Sequence, residues 1–161
     1  MRELARVVAT MGYVGLMRPA PGTWGSLAAL PLAWLAMQAG PVVFTALTAA
    51  LLPLTHWSVR VVTAGREDHD PSEVVIDEMM GQWIALLPIA WGAWAAGAEV
   101  GALWPGWVAA FLAFRLFDVW KPGPVGRLDA RRDAWGVVGD DAVAGAMAAG
   151  VVIVLAGAAH L

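Results

Sequence analysis

The chain has 161 residues, of which 60% are hydrophobic and 14% charged, with a mean hydropathy of +0.66 and a formal net charge of −3. A charged fraction so far below the roughly 25% of ordinary soluble domains marks a membrane protein, and the acidic balance gives no electrostatic reason to bind nucleic acid. The absence of cysteine excludes disulfides, thiolate zinc sites and cysteine nucleophiles, so any metal must be held by oxygen or imidazole.

At about 20 residues per crossing, the length leaves room for one domain, residues 1–161, and none for a separate soluble unit. The expected fold is all-α: a compact polytopic helical membrane protein with about four to five apolar helices and short polar loops on the cytoplasmic side. The opening MRELARVVAT carries Arg2, Glu3 and Arg6 and lacks the apolar core of a secretory signal, so no cleaved targeting segment is expected. RPAPGTWGSLAAL, residues 18–30, follows. Its Pro19, Pro21 and Gly22 make an irregular approach to a helix that Thr23 and Ser26 would cap, leaving amides able to meet an anion.

Leu27 to Thr55 contains no charge, but Gly40 and Pro41 interrupt it, predicting two apolar helices and a hairpin. A second apolar stretch, Met79 to Phe114, is broken between Gly97 and Pro105 by a Gly/Pro-containing piece that holds Glu99. That again predicts two helices and a turn. The run from Ala142 to Ala159 is about one crossing long. Several tryptophans, including Trp24, Trp57, Trp83, Trp104, Trp107 and Trp120, fall near the proposed ends, as in the aromatic belts where a bilayer meets water.

All ten Lys and Arg residues fall in three windows: Arg2, Arg6 and Arg18; Arg60 and Arg66; and Arg115, Lys121, Arg127, Arg131 and Arg132. The positive-inside rule places these windows in the cytoplasm and both hairpins outside. Apart from Glu99, every acid lies in or beside the same windows.

Three acidic clusters therefore share the inner face. In DHDPSEVVIDE, Asp70, Glu73 and Asp77 stand at i, i+3, i+7 if a helix already runs from Asp70, and Glu78 follows about 100 degrees around. Asp118 lies in FRLFDVWKP. Asp140 and Asp141 sit at the mouth of the last apolar run, where they would favour a helix N-terminus. Converging carboxylates repel unless a cation neutralises them, and Mg2+ accepts oxygen-only ligation while sharing its shell with substrate phosphate. Arg115 and Lys121, interleaved with the acids, are suited to the remaining phosphate oxygens. Phosphoryl chemistry at a membrane surface is the expectation. Glu67, Asp68, Asp129 and Asp133 read instead as solvated caps and partners for nearby arginines. The D-x-D of Asp68, His69 and Asp70 precedes Pro71 and follows no clean strand, so it reads as chance.

Four blocks in order, APGTWGSL (20–27), VVIDEMMGQWIAL (74–86), FRLFDVWKPGPV (114–125) and GDDAVAG (139–145), resemble the phosphatidylglycerophosphatase A family of bacterial lipid phosphatases. Gly123 departs from the tryptophan often found there in the family. The resemblance implies a Mg2+-dependent hydrolase of phospholipid biosynthesis, multi-pass in the bacterial inner membrane with its active site facing the cytoplasm. Such an enzyme converts phosphatidylglycerophosphate to phosphatidylglycerol. It further implies that Asp77, Glu78, Asp118, Asp140 and Asp141 bind metal, all but Asp140 also acting catalytically, with Arg115, Lys121, Thr23 and Ser26 binding substrate. Two other readings stand beside it. Another lipid-phosphate enzyme, such as a CDP-alcohol phosphotransferase, would need a D-G-x-x-A-R pattern that the chain lacks. A small ion transporter or scaffold would place its acids near mid-span rather than at the basic margin.

Overall fold

In the computed structural model, which describes residues 1–159, the chain is helical wherever it is regular. A short helix α1 (Arg2–Ala9) precedes α2 (Pro21–Met37), α3 (Pro41–Thr63), α4 (Ile76–Ala96), α5 (Trp104–Trp120), the short α6 (Pro124–Asp129) and α7 (Ala134–Ala159). Three segments are long and apolar enough to cross a membrane: Pro41–Thr63, Val100–Trp120 and Ala134–Ala159.

The breaks fall where backbone chemistry demands them. Gly40 has φ of 94° and Pro41 opens α3, so the first hairpin turns where the charge-free run was interrupted. Gly97 ends α4 in the left-handed region with φ of 61°, its N–H closing back onto the helix, and a 3-10 turn at Val100–Leu103 leads into α5. The five long helices fit the expected all-α layout, and three of the four to five expected crossings have the length and hydropathy of a span.

Four expectations are corrected. The helix over Asp77 does not begin at Asp70: α4 starts at Ile76, while Pro71 lies in the preceding irregular stretch and Glu73 pairs with Arg66 at 3.2 Å. The last helix starts eight residues before Ala142, so Asp140 and Asp141 lie in its second turn and not at its mouth. Thr23 and Ser26 do not cap α2, which begins at Pro21 without a side-chain cap; the Ser26 hydroxyl donates to the Gly22 carbonyl at 3.0 Å. Trp83 is buried rather than interfacial, its indole donating to the Ala29 carbonyl at 3.0 Å and its ring lying 5.1 Å from that of Phe44. Trp104 and Trp120, at the two ends of α5, are exposed as a belt would require.

The core forms where α4 runs between α2, α3, α5 and α7, burying Phe44, Met80, Leu86 and Phe114. The most extensive contact joins α4 to α7. Both turns between long helices, at Gln38–Gly40 and Gly97–Leu103, lie at one end of the bundle. The starts of α2, α4 and α7 and the finish of α5 therefore meet at the other. His56 stacks on Trp135, with ring centroids 4.2 Å apart, and His69 is exposed in a loop. His160 lies outside the described residues.

Candidate active site

Asp77 and Glu78 occupy the first turn of α4, and Asp141 faces them from α7. One carboxylate oxygen from each lies within 4.8 Å of the others, the only such metal-sized grouping among the described residues. Asp77 and Asp141 are each only 4% exposed. Three negative charges so crowded and so dry are unfavourable without a cation.

Small residues permit the approach. A Cβ on Gly145 would fall onto the carbonyl oxygen of Gly81, and one on Gly81 would strike the Phe114 ring and the Asp141 carbonyl. The two glycines stand one turn beyond Asp77 and Asp141 respectively, so backbone touches backbone directly behind the carboxylates. The third wall is α2. A Cβ on Gly22 would run into the Glu78 carboxylate, with Arg115 Nη1 3.3 Å away.

Arg115 and Asp118, one turn apart on α5, form an ion pair of 2.6 Å, and the Arg115 guanidinium reaches the buried Ser26 hydroxyl at 3.5 Å. Asp118 also faces Asp141 across the α5–α7 boundary. Asp77, Glu78, Asp118, Asp141, Arg115 and Ser26, all singled out from sequence, are thereby gathered into one cluster. Thr23 lies half-buried in the first turn of α2 beside it.

Lys121 and Asp140 are brought together differently. The Lys121 ammonium binds Asp140 at 2.8 Å and also pairs with Asp129, so Asp140 turns to lysine and stands outside the three-carboxylate grouping. Partial burial lowers the Lys121 pKa, but hydrogen bonds to Asp129 and Asp140 outweigh it and hold the ammonium above its ordinary value. Exposed Asp133 behaves as an arginine partner and cap: it binds Arg131 at 2.8 Å and accepts the Gly136 N–H at 2.8 Å, and the Arg131 hydrogen bond holds its carboxyl below the usual range.

This pairing carries an expected result. Lys121→Met leaves the buried Asp140 carboxylate without its cationic partner and with only the Asp141 N–H at 3.0 Å, and should destabilise the protein by about 2 kcal/mol. Adding Asp140→Asn should recover most of that loss, read by thermal unfolding in detergent as a double-mutant cycle. A loss in the double variant equal to the sum of the losses in Lys121→Met and Asp140→Asn would show that the ion pair contributes nothing.

Gly22, Gly81 and Gln82 escaped sequence reasoning as site residues. For Gly81 a signal was present: Asp77 and Asp141 are each followed by glycine at the fourth position, as DEMMG and DAVAG. Two identical spacings one helical turn long mark where two helices can touch.

A family model described as phosphatidylglycerophosphatase A matches residues 7–156. The chain is 34% identical over 145 residues to phosphatidylglycerophosphatase A of Haemophilus influenzae, covering 88% of this chain and 81% of that protein. It is 34% identical over 144 residues to phosphatidylglycerophosphatase A of Escherichia coli, covering 85% and 74% respectively. A putative phosphatidylinositol-3-phosphatase of Bacteroides thetaiotaomicron is 37% identical over 134 residues, covering 78% of this chain and 77% of its own. No solved structure matches. With the match spanning all four blocks and every carboxylate of the site, the chain belongs to the phosphatidylglycerophosphatase A family, whose members are phosphoric monoester hydrolases.

Proposed function

We propose that this protein removes the terminal phosphate of phosphatidylglycerophosphate, at the cytoplasmic face of the bacterial inner membrane, in a reaction that depends on Mg2+. The observation that carries the proposal is the grouping of Asp77, Glu78 and Asp141, three oxygen ligands at the end of the bundle where the basic residues gather. The donor set fits a hard divalent cation: it is all oxygen and anionic, and Asp77 and Asp141 are almost wholly buried. Asp77, Glu78 and Asp141 would hold the ion, which when bound neutralises phosphate charge and acidifies water.

The remaining work falls to neighbouring side chains. Arg115, flanked by Ser26 and Gly22, presents its guanidinium at the site, where a phosphate dianion would gain charge-assisted hydrogen bonds. Asp118 stands between that guanidinium and Asp141. Its carboxylate is placed to accept a proton as water attacks phosphorus, the new P–O bond forming as the ester P–O bond breaks. The proton then returns to the departing lipid alkoxide. Thr23, half-buried in the first turn of α2, and Lys121, tied to Asp140, are the further substrate contacts proposed.

The Bacteroides relative's name makes a phosphoinositide monoester a specific second substrate. Phosphate release should be measured in mixed micelles from phosphatidylglycerophosphate and from phosphatidylinositol 3-phosphate, with Mg2+ and with chelator. Metal-dependent release at least about tenfold faster from the first supports the proposal. The opposite preference would move the protein to inositol lipids. Equal rates with and without metal would remove the cation from the reading.

A further inference from the structure

Gln82 is fully buried, and neither its amide nitrogen nor its carbonyl oxygen meets a protein partner within hydrogen-bonding distance. It stands four residues after Glu78 on α4, about 40 degrees around the helix, so the two side chains are neighbours one turn apart. Glu78 Oε2 is likewise buried and without a partner. The face is shared with Ile89, which meets Gly106 of α5, so Gln82 points toward the wall that carries Arg115 and Asp118 and away from the Gly81–Gly145 contact. One helix face therefore offers a donor, Gln82 Nε2, and two acceptors, Gln82 Oε1 and Glu78 Oε2, all cut off from other protein groups.

An apolar side chain of similar size would fill the same place at lower cost, because unpaired buried amides are expensive. A polar group so placed is explained if it serves its neighbour. We propose that Gln82 is a positioning residue that fixes the rotamer of Glu78, its carboxamide holding Glu78 Oε2 through one buried water so that Oε1 is kept toward the cation. A single water needs two to four polar partners, and these three atoms meet that requirement. Outer groups of this kind orient a ligand and raise affinity without touching the ion. The inference rests on Asp77, Glu78 and Asp141 being the cation ligands.

The test is direct binding of Mn2+, a hard oxygen-preferring probe, to purified full-length protein in detergent, followed by the electron paramagnetic resonance signal of free Mn2+. Gln82→Leu and Gln82→Met remove the carboxamide at similar volume. Both should weaken Mn2+ binding by about 10-fold or more. Neither should melt below the wild type in chelator, because the cost of burying a carboxamide is removed along with its water-mediated contact. Unchanged Mn2+ affinity in either folded variant overturns the proposal. Lower melting temperatures in both make Gln82 a structural residue and overturn it equally. A wild type that binds no Mn2+ removes the cation reading itself, and the role of Gln82 with it.

Discussion

Replacing Asp141 by asparagine should reduce cation-dependent phosphate release by about 10³-fold, corresponding to about 4 kcal/mol of lost transition-state stabilisation. The substitution keeps the size of the side chain but removes one of three clustered carboxylates at a position 4% exposed. Its effect on stability should run the other way. In chelator the wild type holds three carboxylates against one another, and the variant holds two, so Asp141→Asn should melt higher than the wild type. With saturating Mg2+ the wild type should gain more than the variant, because only the complete ligand set binds the ion tightly. Thermal scans with chelator and with Mg2+ read both signs. A variant that retains activity, or whose melting rises with Mg2+ as much as the wild type's, would place the metal elsewhere.

Gly145→Val should abolish activity from a position that touches no substrate. Its first added carbon would fall on the Gly81 carbonyl, which is backbone and cannot rotate away, so α4 and α7 must separate. Overpacking of this kind costs about 1–3 kcal/mol. The catalytic loss should be larger in proportion, about 10²-fold or more, since moving Asp141 by about 1 Å from Asp77 and Glu78 spoils a shared site. Gly150→Ala is the internal comparison: it lies on the same helix, its Cβ would meet nothing within 4 Å, and it should leave activity intact while holding or raising stability. Similar losses at Gly145 and Gly150 would mean that the effect does not come from the contact with Gly81.

The helical layout was legible because uncharged runs and their interruptions are set by the bilayer and by backbone stereochemistry. Gly40–Pro41 and Gly97 are visible as letters. The boundaries that were misjudged involve charges placed inside helices. Asp140 and Asp141 looked like an entrance because a buried carboxylate is costly, but a neighbouring lysine and a shared site offset that cost, and the helix continues back to Ala134. Asp70 and Glu73 have the right spacing for α4 and lie outside it, since Pro71 interrupts and Arg66 draws Glu73 away. The site's carboxylates were legible as residue types in an unlikely setting. Which of them share one point in space was not, because Asp140 and Asp141 differ by a single step in sequence and by about 100 degrees in direction. The contribution of Gly81 depends on a partner 64 residues away and becomes visible only once α4 and α7 cross.

The crossing of α4 and α7 also orders events during synthesis. Asp77 and Glu78 emerge from the ribosome more than fifty residues before Asp141, and the helices between them can enter the bilayer in sequence. Until α7 is inserted and its Gly145 lies against Gly81, the carboxylates of α4 have no third carboxylate beside them. On the proposed ligand set, the cation site would be completed last, by the docking of a single late helix.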